Sequence, residues 1–71
     1  MAEQVMTQAP GNVWKVLVKV GDTVKAGDTL FILEVMKTEV PHDAESNGKI
    51  LKIHIAEEDA VDVGQIAIEI E

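Results

Sequence analysis

Sliding the 71-residue chain against itself by 37 positions sets residues 11–34 over residues 48–71 without a gap. Gly11 meets Gly48, Lys15 meets Lys52, Asp22 meets Asp59, Val24 meets Val61, Gly27 meets Gly64 and Glu34 meets Glu71, six identities in 24 positions. Val13/Ile50, Val16/Ile53, Val18/Ile55, Phe31/Ile68 and Leu33/Ile70 are conservative pairs. A chain of this size buries only about 60 % of its unfolded surface, which is enough for one modest core and no more. The half-repeats are therefore expected to be the two halves of a single domain, residues 1–71, related by quasi-twofold symmetry.

The apolar residues are mostly Val, Ile and Ala, a β-branched bias that favours strands. Alternation of period two sets Trp14, Val16 and Val18 inward against Lys15 and Lys19, and Leu51, Ile53 and Ile55 inward against Lys52 and His54. On that phase Trp14 is a core residue. Between the strands of each half lie the turn-rich stretches "GDTVKAGDT" and "EEDAVDVGQ", whose Val24 and Val61 are candidate core plugs. Gly27 and Gly64 are expected in positive-φ turns. Asn47-Gly48 reads as a two-residue hairpin turn, because both residues tolerate positive φ. Each half is then a short-stranded β unit, and two such units can close over one core as a sandwich or flattened barrel.

Residues 29–41 cannot form one strand. Unbroken, they would extend about 43 Å at ~3.3 Å per residue, whereas a domain of this length has a diameter of roughly 28 Å. The side-chain parity locates the reversal: Phe31, Leu33 and Val35 are inward candidates at odd positions, and the next apolar strand residue, Val40, is even. A two-residue loop at Met36-Lys37 produces that switch and pairs Val35 with Thr38, Glu34 with Glu39, and Leu33 with Val40. Pro41 is tolerable near the end of such a strand or at an edge. Met-Lys is an unfavourable tip for a tight hairpin, and a local rule broken at an exposed loop marks a candidate functional position. A lysine in a loop is by itself an ordinary solvated charge. The methionine beside it is less ordinary, since a large apolar side chain at a loop tip gains little from the core.

An exposed lysine of ordinary pKa, ~10.4, is neutral in only about one molecule in 2,500 at pH 7. Lys37 is thus a poor nucleophile unaided, and acylation there needs another enzyme to supply an activated acyl group and a base. "EVMKTEV" resembles the biotin attachment motif Glu-Ala-Met-Lys-Met, and "VGDTVKAGDTLFILE" is similar to the stretch preceding it in the biotinyl/lipoyl attachment family. "APGNVWKVLVKVGD" and "GKILKIHIAEEDAVDVGQIAIEIE" resemble that family's opening strand and closing half, so the resemblance covers nearly the whole chain. It is nearest to small biotin/lipoyl attachment proteins and biotin carboxyl carrier domains.

The resemblance implies an all-β fold, a flattened β-barrel or barrel-sandwich hybrid of two four-stranded antiparallel sheets. It implies biotin attached covalently to Lys37 at an exposed hairpin, with Met36, Thr38 and Val35 as flanking recognition contacts. The partners implied are a biotin ligase, a biotin carboxylase and a carboxyltransferase, for a cytoplasmic, monomeric, non-catalytic carrier. Thr38 stands where the motif has its second Met, and Val35 where Ala or Ser is usual. Met36 favours biotin, since lipoyl domains more often carry Asp before the lysine; lipoate is the alternative cofactor. The connection from Gly21 to Asp28 is too short for the protruding thumb of some acetyl-CoA carboxylase carriers. An unmodified interaction module using Met36 as an anchor is the reading from a different class.

Other chemistries find little support. Six Lys and no Arg against 13 Asp and Glu, a formal charge of −7, disfavour nucleic acid and anionic membrane surfaces. The absence of cysteine excludes disulfides and thiolate sites and fits a reducing compartment. "MAEQVMTQAPG" is not a secretory signal, and no apolar run approaches the ~20 residues of a membrane span. Glu34 and Glu39 face each other but lack a pocket that would separate two carboxyl pKa values. His42 and His54 are expected at the surface without a third metal ligand. The glycines at 21 and 27 precede no helix, so they form no phosphate loop.

Overall fold

The computed structural model describes residues 3–71. Its eight strands are β1 (Glu3–Met6), β2 (Gly11–Val16), β3 (Thr23–Val24), β4 (Thr29–Val35), β5 (Thr38–Asp43), β6 (Gly48–Ile53), β7 (Ala60–Val61) and β8 (Ile66–Ile70). They form two four-stranded antiparallel sheets, ordered β1-β8-β6-β3 and β5-β4-β2-β7. The fold is all-β, the class expected from the β-branched composition. No helix among the described residues is long and apolar enough to cross a membrane. The molecule measures 32 × 18 × 17 Å, too short for an unbroken 29–41 strand.

Strand β1 corresponds to β5, β2 to β6, β3 to β7 and β4 to β8, so the second sheet repeats the first in order. The turn hydrogen bonds repeat with them. Gly21 N–H donates to the Ile50 carbonyl at 2.9 Å and Glu58 N–H to that of Val13 at 2.8 Å; Gly27 N–H donates to Ala44 and Gly64 N–H to Thr7, both at 2.8 Å. Asp22 accepts from Lys19 N–H at 2.8 Å and Asp59 from Ala56 N–H at 3.0 Å. The symmetry thus reaches beyond 11–34 and 48–71 to relate β1 to β5. The halves are also interlaced rather than stacked, because each sheet takes its two inner strands from one half and its two outer strands from the other.

Gly11 and Gly48 explain one repeated identity. A Cβ on Gly11 would collide with the Glu34 carbonyl oxygen, and one on Gly48 with that of Glu71. Gly48 is therefore a close-approach glycine opening β6, and Asn47-Gly48 is not a hairpin turn: β5 and β6 lie in different sheets. Gly27 and Gly64 have φ of 93° and 82°, as expected of left-handed turns. Gly21 has φ 96°, while its symmetry mate Glu58 has φ 74°, a conformation costing a non-glycine residue ~1–2 kcal/mol.

The core contains Val5, Val13, Val24, Leu30, Phe31, Leu33, Ala44, Ile50, Ala67, Ile68 and Ile70, with Val61 half-buried against it. Simple alternation fails in β2 and β6, where the register shifts between Val13 and Lys15 and between Ile50 and Lys52. An extra residue in a strand reverses its side-chain phase. Val13 and Ile50 thus point inward, Val16 and Ile53 resume on the inner side, and Trp14 and Leu51 are exposed, contrary to the core positions expected for them.

His42 is not a surface residue either. It is 4 % exposed at the position corresponding to Val5, with its ring stacked on Phe31 at 4.5 Å between centroids. Nε2 accepts from the Gln8 N–H at 3.1 Å, and Nδ1 lies 3.3 Å from the Val40 carbonyl. These two contacts define a neutral imidazole with its proton on Nδ1. Burial pushes its pKa below the ordinary 6.5, against smaller upward pulls from the Val40 carbonyl and Asp43.

Candidate functional site

Strands β4 and β5 form a hairpin with the registers Leu33–Val40, Glu34–Glu39 and Val35–Thr38. Met36 and Lys37 make its two-residue turn, at φ 51° and 65°. Both signs are those of a type I′ turn, whose twist matches the flanking strands and which ordinarily uses Asn and Gly. Among the described non-glycine residues only Glu58 shares this left-handed region. Tertiary pairing along six registered positions, rather than turn propensity, holds the Met-Lys tip.

Val35 packs half-buried against the core, anchoring the base of the hairpin, while Met36, Lys37 and Thr38 project into solvent. Met36 is 93 % exposed. The four sequence-selected residues thus lie together, three at the surface and one on the core. No described group of three or more His, Asp or Glu side chains could hold a metal ion. Lys37 is exposed on this turn, and an exposed side-chain amine beside an exposed methionine fits a covalently attached group.

Two surface features, one on each sheet, were not foreseen from the sequence. Trp14 is 45 % exposed, with the Lys15 Nζ 5.3 Å from its ring centre. On the opposite sheet His54 Nε2 lies 2.6 Å from a Glu69 carboxylate oxygen. The bulges that create the first follow from a register offset between strands distant in sequence, and no local pattern reveals them.

Two interlaced four-stranded sheets, with a lysine on the tightest turn joining two neighbouring strands, define a barrel-sandwich hybrid. A family model, Biotin_lipoyl, described as "Biotin-requiring enzyme", matches residues 1–70, and the chain belongs to that biotin/lipoyl attachment family. It is 46 % identical over 65 residues to urea amidolyase of Lachancea kluyveri, covering 92 % of this chain and 4 % of that protein. It is 39 % identical over 66 residues to the biotin/lipoyl attachment protein of Bacillus subtilis, covering 93 % of this chain and 90 % of that one. The crystal structure of Kluyveromyces lactis urea carboxylase matches with a TM-score of 0.93 at 38 % identity, over all of this chain and 6 % of that one. The chain therefore spans a small part of the first of these relatives and nearly the full length of the second.

Proposed function

We propose that this chain is a biotin carboxyl carrier with Lys37 as its acceptor. The observation that carries the reading is the hairpin: a lysine on an exposed left-handed turn, beside a methionine that is 93 % exposed and has no packing role. Family membership supports biotin or lipoate as the attached group, and Met36 immediately before the lysine favours biotin.

Lys37 would lose a proton to a base on a biotin ligase, and its Nζ would attack the activated carboxyl carbon. The new amide bond forms as the activating group leaves, changing the formal charge of the chain from −7 to −8. Met36, Thr38 and Val35 are the flanking contacts the ligase would read. The residues of the hairpin would hold biotin through the Lys37 amide, and the group would supply there a ureido nitrogen able to carry a carboxyl group between a biotin carboxylase and a carboxyltransferase. The chain contributes a tether: a rigid β scaffold presents the arm on one turn, and tethering raises its effective concentration at both partner sites without tight docking. In this reading the domain is monomeric, has no active site of its own, and works in the cytoplasm, in keeping with its lack of cysteine.

Intact-mass measurement after co-production with a biotin ligase, and separately with a lipoate ligase, tests the proposal. A biotin increment that disappears in Lys37→Arg is the expected result. A lipoyl increment alone would reassign the cofactor, and no increment with either enzyme would leave the unmodified interaction module.

A further inference from the structure

We infer that the hollow beside Trp14 is a resting berth for the arm attached at Lys37, an inference that rests on the carrier reading above. Asn12, Val13, Trp14, Glu34 and Glu58 line a concavity of about 300 Å³ on the sheet that carries the hairpin. Asn12 is registered against Glu34, which is registered against Glu39, so the hollow lies on the strands leading to the Met36-Lys37 turn.

The distance suits a biotinyl-lysine. Trp14 flanks residues 32–33 of β4, about four residues or ~13 Å from Lys37 at strand spacing. The lysine side chain and the acyl chain together provide about eleven bonds of ~1.5 Å before the ring, enough to fold back over that span.

The chemistry also suits the ring. The carboxylates of Glu34 and Glu58 are acceptors for the two ureido N–H groups, and the Asn12 amide is a donor for the ureido carbonyl. The indole offers an apolar surface to the bicycle, and Lys15 above it restrains the indole on the sheet.

The internal symmetry supplies an independent comparison. At the place related to the hollow by the internal symmetry, Asn12, Trp14 and Glu58 are replaced by Lys49, Leu51 and Gly21. The symmetry-related place thus lacks the aromatic ring, the amide and one of the acidic groups. Glu58 further occupies a left-handed turn for which its counterpart uses glycine, a side chain kept against the preference of the backbone.

Trp14 is the only tryptophan, and the chain has no tyrosine, so its fluorescence reports this hollow alone. The test compares acrylamide quenching of Trp14 in unmodified protein and in protein shown by mass to be fully biotinylated, with Lys37→Arg taken through the same treatment. A ring laid on one face of the indole should lower the quenching constant by about half, with nuclear Overhauser contacts between indole and bicycle protons. Unchanged quenching and no such contacts in fully biotinylated protein overturn the berth while leaving the carrier reading intact. Absence of the biotin mass increment overturns the carrier reading, and the berth with it.

Discussion

Lys37 is one of six lysines, and charge alone does not separate it from the other five. Its backbone does: none of the others has positive φ. Because its side chain projects from the turn, Lys37→Arg should change unfolding free energy by no more than about 0.5 kcal/mol while abolishing modification. Chemical denaturation checks the first part, and a large stability loss would mean that the lysine is structural. His42 is the contrasting residue, since its imidazole is held neutral by the Gln8 amide and protonating Nε2 would replace that acceptor with a donor. Its folded pKa is lowered, so its contribution to stability is fully present above 6.5 and is lost as the pH falls below that value toward the folded one. His42→Val, which copies Val5, should cost about 1–3 kcal/mol at pH 7.5 through the unpaired Gln8 amide. That gap should narrow on acidification to pH 5, as read from denaturation midpoints, and a gap independent of pH would contradict the account. Neither the burial of His42 nor the exposure of Trp14 was legible from local sequence. The first depends on a symmetry relation running past residue 11, and the second on a bulge.

At the scale of the element, the hairpin was readable because parity is a local property: odd-numbered Leu33 and even-numbered Val40 share a face when the loop between them has an even number of residues, and a two-residue loop is the shortest that does so. The registers Leu33–Val40, Glu34–Glu39 and Val35–Thr38 are those of that two-residue loop. Asn47-Gly48 misled for the opposite reason. Its composition suits a positive-φ turn, whereas Gly48 serves a contact with Glu71, distant in sequence. Gly48→Ala should destabilise the protein by roughly 1–3 kcal/mol, because the obstacle is a backbone carbonyl that cannot rotate away. At Gly27 and Gly64 a Cβ would meet nothing within 4 Å, so there the cost of substitution comes from backbone strain. Thermal melting of Gly48→Ala measures the close approach, and an unchanged midpoint would show that β6 and the end of β8 can separate freely.

Across the whole molecule, the repeat was legible as six identities, but its consequence for assembly was not. Sequence self-similarity says that two halves resemble one another; whether they stack or interlace depends on which strands pair. Here β2 and β4 are flanked by β5 and β7 of the other half, so neither half can complete a sheet alone. Peptides 1–35 and 38–71 should each lack strand structure by circular dichroism, and either one folding by itself would contradict the interlacing. The same architecture sets the hairpin lysine on a rigid frame, from which this lysine alone should become the acceptor. Fragmentation mass spectrometry of biotinylated protein locates the added mass among the six lysines. All of it is expected on Lys37; an increment on any other lysine, or divided among several, would show that the hairpin does not select the acceptor.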